Sequence, residues 1–398
     1  MLLDDFLRYV KVSTQSDEES IDTPSTSRQW DLLKLLEKEL RELGVSCELD
    51  KYGRLYGYIP GDESLDSVGL CAHVDTATEC SGENVKPQVL KYEGKDVELG
   101  KSGLVLSARE YPHLNDCVGK TIITTDGTTL LGADDKAGIA IIMDAVRNVL
   151  MMDKNTRRPM SILFTPDEEV GRGPEHFDLT KYKAKFAYTI DGASINEISI
   201  ENFNAKKGVV TIYGKSIHPG EAKGKLINAC LLAIEFNDLL PQNMIPSLTE
   251  KYEGFNHLQY ITSDVEKATL DYILRNHDSN ILEKQVNDFY NAKSIIEKKY
   301  PSAKVDIAIK DQYKNMIEII NAHPECKTLI EKVYKKLGIL FTYDPIRGGT
   351  DGATFSFNGC PCPNLGTGSY NHHGRYEYAV LEEMEIMSKI CTELYKTR

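Results

Sequence analysis

The chain has 398 residues, of which 41% are hydrophobic and 27% are charged, and its formal net charge is −13. This length allows two globular domains with a large core. An acidic surface repels nucleic acid and anionic membranes, so both are excluded as expected partners and a small ligand is favoured. The sequence has no apolar run of the roughly 18–20 residues that a membrane span needs, and Asp4 and Asp5 stand where a signal peptide carries cations. These features predict a cytoplasmic protein.

The first part of the chain has the pattern of an α/β domain. Apolar residues recur at helical spacing in residues 3–10 and again in residues 30–43, where Gly44 ends the pattern. Short apolar runs then alternate with helical stretches, at residues 68–72, 139–150, 162–164 and 186–190. This alternation predicts a mostly parallel β-sheet flanked by helices.

The middle of the chain has a different order of elements. Patterns of strand, helix, strand, strand, helix and strand follow one another at residues 209–213, 226–239, 258–262, 268–274, 281–299 and 305–309. This β-α-β-β-α-β order is typical of a compact sandwich of one sheet and two helices. We therefore predict an inserted domain at residues 203–312 and a discontinuous first domain made of residues 1–202 and 313–398.

Several predicted elements of the first domain adjoin side chains that can bind metals. Four apolar runs lead into such residues, and a fifth segment places two acids just before a helix. The residues concerned are His73, Asp134, Asp135, Glu168, Glu169, Asp191, His372 and His373. Because ligands of open α/β sheets bind at the carboxyl ends of the strands, we expect these side chains to share one crevice.

The candidate residues have the chemistry of a metal site. Imidazole nitrogens and carboxylate oxygens suit zinc, and the set exceeds the three protein ligands of a single catalytic zinc. It favours two ions about 3.5–4 Å apart, bridged by a carboxylate, with an unligated acid as general base. Simpler interpretations exist: Asp134 and Asp135 could cap the following helix, and Glu168 and Glu169 could lie on an exposed turn. The coincidence of five such segments favours the metal site.

At these residues the sequence resembles the peptidase T family of tripeptide aminopeptidases, within the larger group of co-catalytic zinc aminopeptidases, carboxypeptidases and deacylases. The resemblance covers about residues 71–378 and rests on blocks in the family's order, among them AHVDTATECSGENVKPQV, TTDGTTLLGADDKAGIA, FTPDEEVGRGPEHFD, TIDGASINEISIENFNA, PIRGGTDGA and CPNLGTGSYNHHGRYE. It implies a zinc-peptidase domain that hydrolyses the first peptide bond of a tripeptide. A dipeptidase, a carboxypeptidase or an N-acyl amino acid deacylase would have the same metal pattern, and only flanking phrases such as CSGENVKPQ favour the tripeptide enzyme.

The resemblance also implies a role for each residue of the cluster. The ligands that it implies, for two zinc ions per subunit, are His73 and Asp191 for one ion, Glu169 and His373 for the other, and Asp134 as the bridge. Glu168 would act as general base and acid, and Asp75 would hold the imidazole of His73 in the correct tautomer. Because the family has a histidine followed by glycine, His373 is favoured over His372. A cis peptide bond between Asp134 and Asp135 is also implied.

In the inserted domain the resemblance implies contacts with the peptide substrate. His218 would polarise the scissile carbonyl, Arg275 would bind the terminal carboxylate, and Arg347 would assist it. Each has a simpler alternative, as a loop histidine before a Pro-Gly turn or as a surface arginine. The insertion would act as a moving lid, and its sheet edge leaves both a monomer and a homodimer open.

Overall fold

The computed structural model describes residues 1–397, and the chain forms two compact units. The first comprises Met1–Ile200, Met316–Asp344 and Thr350–Arg398, and the second comprises Glu201–Asn315 and Pro345–Gly349. Within the described residues, none of the helices combines the length and the apolar character that crossing a membrane requires.

The first unit is built on a mixed sheet of eight strands. In spatial order the strands are β1 (Ser46–Leu49), β2 (Leu55–Ile59), β8 (Met160–Thr165), β3 (Val68–His73), β9 (Phe186–Gly192), β16 (Asn364–Gly366), β10 (Glu197–Ser199) and β15 (Thr342–Tyr343). The four central strands β8, β3, β9 and β16 are parallel, whereas β1, β2 and β10 each form antiparallel pairs. The predicted parallel sheet is therefore confirmed at its centre.

Helices cover both faces of this sheet. They are α1 (Leu2–Tyr9), α2 (Gln29–Glu42), α3 (Ala133–Leu150), α4 (Leu179–Tyr182), α7 (Ile317–Ala322), α8 (Pro324–Leu337), α9 (Asp351–Phe357) and α10 (Leu381–Glu393). Every residue of β3 and β8 is buried, and alternate side chains enter different cores: Leu70 packs with α3, Cys71 with Tyr182 and Phe355. Strands buried on both faces read as continuous apolar runs, which explains why the sequence reveals them.

A second, smaller sheet lies in the first unit and has no counterpart in the sequence analysis. Its strands, in spatial order, are β17 (Ser369–Tyr370), β18 (Tyr378–Val380), β7 (Thr121–Thr124) and β4 (Gln88–Lys91). A short hairpin of β5 (Val97–Glu98) and β6 (Val105–Leu106) adjoins a core that includes Tyr92 and Leu114. These strands are only two to four residues long, too short to show a period.

The second unit contains one antiparallel sheet and two helices. Along the chain these are β11 (Asn204–Tyr213), α5 (Ala229–Asp238), β12 (Phe255–Ser263), β13 (Lys267–Asn276), α6 (Ser279–Lys299) and β14 (Lys304–Tyr313), the order that the sequence predicts. The sheet order is β12-β13-β11-β14. Both helices begin at side-chain caps: Asn228 accepts a backbone N–H of α5, and Asp278 accepts two of α6. Phe236 and Phe289 form an edge-to-face pair in the hydrophobic core of the second unit, which is separate from the core of the first unit.

The structure corrects the predicted place of one short segment. Pro345–Gly349, assigned to the first domain from sequence, belongs to the second unit. The backbone N–H of Ile346 donates to the carbonyl oxygen of Glu201 at 3.0 Å, and the guanidinium of Arg347 donates to carbonyl oxygens of the loop before β12. Backbone hydrogen bonds, which leave no mark in the sequence, thus decide the assignment.

Candidate metal centre

The centre of the site is the carboxylate of Asp134, which lies between two histidines. Asp134 Oδ1 is 2.9 Å from His73 Nε2, and Asp134 Oδ2 is 3.2 Å from His373 Nε2. The peptide bond between Asp134 and Asp135 is cis, as the resemblance implies, and both residues have non-helical backbone angles at the start of α3. One carboxylate therefore presents one oxygen to each histidine.

The helix-capping alternative applies to Asp135 and not to its neighbour. Asp135 Oδ1 accepts the backbone N–H of Gly138 at 3.2 Å, and Oδ2 accepts the backbone N–H of His73 at 3.2 Å. Asp135 thus caps α3 and ties it to the end of β3, while the side chain of Asp134 is left to face the histidines.

Two further carboxylates complete the cluster. Asp191, near the end of β9, places Oδ1 3.5 Å from His73 Nε2. Glu169, in the loop after β8, places Oε2 3.1 Å from His373 Nε2. The structure thus brings together all five residues that the resemblance names as ligands, with a histidine and a carboxylate on each side of Asp134.

The cluster fits divalent metal ions. Donor atoms held 2.0–2.1 Å from a tetrahedral zinc lie roughly 3.3 Å from one another. The distances from His73 to Asp191, 3.5 Å, and from His373 to Glu169, 3.1 Å, are close to this value. Glu169 Oε1 is buried without a hydrogen-bond partner, as expected of an oxygen reserved for a cation. Groups of potential ligand atoms in metal-binding proximity occur at His73, Asp134 and Glu169 and at His73, Asp135 and Asp191.

The electrostatic field of the cluster attracts cations. Hydrogen bonds to Asp134 and Glu169 raise the pKa of His373 to about 11. Burial alone lowers the pKa of His73, but Asp191 and Asp134 outweigh it, so this pKa is raised well above its usual range. Both shifts have the same origin, a concentration of carboxylates that stabilises positive charge, and a divalent ion benefits from the same field.

The structure distinguishes the two adjacent histidines. His373 Nε2 faces both Asp134 and Glu169, whereas His372 Nε2 lies 2.8 Å from the hydroxyl of Ser369. The other ring nitrogen of His372, Nδ1, is 3.6 Å from Asp134 Oδ2. The geometry therefore favours His373, the residue that precedes Gly374.

Asp75 is fully buried and has more partners than the sequence suggests. His73 Nδ1, the nitrogen that faces away from Asp134, lies 3.2 Å from the backbone carbonyl oxygen of Asp75 and 3.3 Å from its Oδ1. Asp75 also accepts the backbone N–H groups of Glu168 and Glu169, one on each oxygen and each at 3.1 Å. One carboxylate thus orients a histidine and also fixes the backbone of the acid doublet.

The side chain of Glu168 belongs to the same site. Burial is the main cause that raises the pKa of Glu168 well above its usual range. The preceding Asp167 has a left-handed backbone (φ 59°), and its carboxylate accepts hydrogen bonds from Ser25 and Gln29. These bonds anchor the turn before Glu168, and the bond from the Glu168 N–H to Asp75 anchors Glu168 itself.

Glu79 is a residue of the site that the sequence analysis misses. Its Oε1 lies 3.4 Å from His373 Nδ1, on the side of the ring on which Asp75 faces His73, although Glu79 is exposed and Asp75 is buried. Carboxylates in this position orient metal-binding histidines. Nothing in the residue pattern marks Glu79, because its partner is almost 300 positions away along the chain.

The three predicted substrate contacts all lie in the second unit. His218 is exposed, and its Nδ1 accepts the backbone N–H of Gly220 at 3.2 Å. Arg275 is buried, donates to the carbonyl of Lys206, and lies over the ring of Tyr313. The hydrogen bonds of Arg347 to the loop before β12, described above, give it a structural role. Their contacts with a peptide stay predictions.

Comparison with known proteins places the chain in a family. Residues 126–397 match the model of peptidase family M20/M25/M40, so the chain belongs to this family. Within it, curated relatives are named peptidase T: the protein of Exiguobacterium sp. is 44% identical over 408 aligned residues, covering 100% of this chain and 97% of that protein. Peptidase T of Staphylococcus aureus strain JH9 is 45% identical and covers 96% of this chain and 95% of that protein.

Solved structures show the same fold. The aminopeptidase PepT of Bacillus cereus superposes with a TM-score of 0.75 at 21% identity, covering 99% of this chain and 96% of that one. A tripeptidase of Staphylococcus aureus gives a TM-score of 0.76 at 18% identity with the same coverage. A dinuclear metal-binding peptidase of the M20 family from Bacillus subtilis gives 0.66 at 12% identity, again covering 99% and 96%.

Proposed function

We propose that this chain is a metallo-aminopeptidase that removes the N-terminal residue of tripeptides with two zinc ions. The observation that carries the proposal is the position of Asp134, whose two oxygens face two histidines on opposite sides. A carboxylate that presents one oxygen to each of two histidines has the arrangement expected of a ligand shared by two ions. The names of the relatives, peptidase T and tripeptidase, support the tripeptide substrate.

In this proposal each ion has its own pair of ligands. His73 and Asp191 would hold one, Glu169 and His373 would hold the other, and Asp134 would be shared. Metal ions held by these residues would supply Lewis-acid polarisation of a peptide carbonyl and would make a bound water easier to deprotonate. The remaining chemistry belongs to the side chains around them.

Glu168 is the proposed general base and acid. It is the acid of the doublet that has no histidine partner, while its neighbour Glu169 faces His373. Glu168 takes the proton of the attacking water and then gives it to the leaving amine, which needs a carboxyl group fixed in place and free of other bonds. The two amide bonds to Asp75 hold the doublet so that one acid binds metal and the other moves protons.

His218 is the proposed donor to the scissile carbonyl. Because its Nδ1 accepts the N–H of Gly220, the neutral ring carries its proton on Nε2, which is then free to donate. Arg275 and, as an assistant, Arg347 remain proposed partners of the peptide's terminal carboxylate. The bonds to Lys206 and Leu274 use only Nη1 of Arg275, whereas the four terminal N–H groups of Arg347 all face existing acceptors and leave only its Nε–H.

Related activities on the same metal site are the alternatives. A dipeptidase, a carboxypeptidase or an N-acyl amino acid deacylase would use the same ligands and the same base. Incubating the protein with a tripeptide, a dipeptide and an N-acetylated tripeptide, and identifying the products by mass, separates them. Release of the N-terminal residue from the free tripeptide is expected; equal cleavage of the acetylated peptide would refute the aminopeptidase.

Substitution of the base tests the mechanism. Glu168→Gln is expected to keep the wild-type metal content while turnover falls about 10²–10⁴-fold, the usual contribution of general acid–base catalysis. The control is Glu175→Gln, an exposed acid of the same loop that pairs with Arg172, which should leave both quantities unchanged. Full turnover by Glu168→Gln, or loss of its metal, would contradict the assignment.

A further inference from the structure

Glu377 is a buried acid that no part of the proposed chemistry uses. Its side chain is almost completely inaccessible, at 1% relative exposure. Its Oε2 accepts the backbone N–H groups of Leu131 at 2.7 Å and Gly132 at 2.8 Å, and its Oε1 accepts the backbone N–H of Asp134 at 3.0 Å. These three amides are its hydrogen-bond partners, and the basic groups that face it are His372 and the buried Lys136.

The three amides belong to the turn that ends in the shared carboxylate. Gly132 has a left-handed backbone (φ 76°), and Asp134 follows two residues later with its cis peptide bond. A turn of this kind exposes several N–H groups that no helix or strand satisfies, and an acceptor with two oxygens can bind them together. The carboxylate of Glu377 therefore accepts the three backbone N–H groups that would donate to backbone carbonyls in a helix or strand.

Glu377 also lies on the chain segment that carries the second histidine. It is four residues after His373, and its own backbone N–H donates to the carbonyl of Gly374 at 3.3 Å. The carboxylate thus links the segment with His373 to the turn with Asp134. His373 Nε2 and Asp134 Oδ2, which lie 3.2 Å apart, belong to the two segments that this link joins.

We propose that Glu377 is a positioning residue for the metal centre, which acts by fixing Asp134 relative to His373. The inference rests on the proposed function, because it assumes that Asp134 and His373 bind metal. Partners of this kind do not touch the metal, yet their loss usually lowers metal affinity 10- to 100-fold. A purely structural acid would instead change the stability of the metal-free protein and leave metal affinity as it is.

Glu377→Gln is the most selective test. The amide has the size of the carboxyl group but only one accepting oxygen, so its NH₂ group faces at least one of the three N–H donors. The expected result is a metal dissociation constant raised about 10- to 100-fold, measured by competition of zinc between the protein and a chromogenic chelator. Excess zinc should restore most of the turnover with an unchanged KM, because Glu377 does not touch substrate.

A matched control separates positioning from general stability. Glu382 accepts hydrogen bonds from the backbone N–H of Thr121 at 2.7 Å and from the hydroxyl of Thr121 at 3.1 Å, away from the proposed metal ligands. Glu382→Gln should lower the melting temperature of the metal-free protein and leave zinc affinity unchanged. Wild-type zinc affinity in Glu377→Gln would overturn the inference, whereas failure of the wild-type protein to bind zinc would overturn the proposed function instead.

A second variant and a measurement on the wild-type protein keep the inference testable if Glu377→Gln does not fold. Glu377→Asp keeps the charge but is one methylene shorter, so it cannot reach Leu131 and Asp134 together, and the same loss of zinc affinity is expected. In the wild-type metal-free protein, the amides of residues 131, 132 and 134 should exchange slowly with deuterium, since all three donate to a buried acceptor. Rapid exchange at these positions would refute the proposed link whatever the variants do.

Discussion

Removal of the Asp75 side chain should destabilise the first unit even without metal or substrate. In Asp75→Ala the backbone N–H groups of Glu168 and Glu169 lose their acceptors. Leaving a buried donor without a partner costs about 1–3 kcal/mol, so the free energy of unfolding should fall by about 2–6 kcal/mol. Asp75→Asn keeps one accepting oxygen, so about half of that loss is expected. His73 Nδ1 keeps the backbone carbonyl of residue 75 but loses the carboxylate beside it, so turnover should fall in both variants.

The chain provides a specific probe for this measurement. Trp30 is its single tryptophan and packs against the core of the first unit, so its fluorescence reports the unfolding of that unit. Urea titrations of the metal-free proteins should show a lower midpoint with an unchanged slope. Asp153→Asn is the control, because Asp153 accepts a single N–H, from Asn155, on the exposed surface. Loss of turnover in Asp75→Ala without any loss of stability would refute the shared role of Asp75.

Three further substitutions test the site. His373→Ala should lower the metal content from two ions to one per chain, while His372→Ala should keep both, as measured by elemental analysis of the dialysed proteins. Glu79→Gln should raise the metal dissociation constant about 10-fold, because the neutral amide accepts a weaker hydrogen bond from His373 than the carboxylate does. Gly138→Ala should destabilise the metal-free protein by about 3 kcal/mol or more in urea, since a Cβ there would lie 2.0 Å from the carbonyl oxygen of Ile190.

Each of these outcomes has a clear opposite. Loss of metal from His372→Ala and not from His373→Ala would reverse the choice between the two histidines. For Glu79→Gln the control is Glu83→Gln, an exposed acid of the same segment that pairs with Arg28, and equal metal affinities of the two variants would remove Glu79 from the site. A fully stable Gly138→Ala would mean that α3 does not approach β9 as closely as described.

The central sheet and the pool of candidate ligand residues could be predicted because both have a signature in residue type, whereas the choice of five ligands from that pool came from the resemblance. Strands β3, β8 and β9 are buried along their length, so they appear as apolar runs, and their boundaries differ from the prediction by one or two residues. Histidines and acids directly after such runs are unusual enough to indicate chemistry. The cis bond and the separate roles of Glu168 and Glu169 came from resemblance alone.

The remaining features depend on backbone groups and on distant pairing. Glu377 and Asp75 act through amide N–H groups, which every residue except proline has, so no pattern of side chains shows where they point. The small sheet pairs β7 with β18, more than 250 residues further along the chain, and its strands are too short to be recognised by alternation. The place of Pro345–Gly349 likewise depends on backbone hydrogen bonds.

The two halves of the metal centre differ in how firmly the protein holds them. His73 and Asp191 lie at strand ends, and the side chain of His73 is 2% exposed, whereas His373 lies in a loop at positive φ and is 41% exposed. A buried histidine binds an ion with less loss of side-chain freedom than an exposed histidine does. We therefore expect unequal affinities and stepwise loading. Activity would then vary with the concentration of available metal, because the ion beside His373 would dissociate before the ion beside His73.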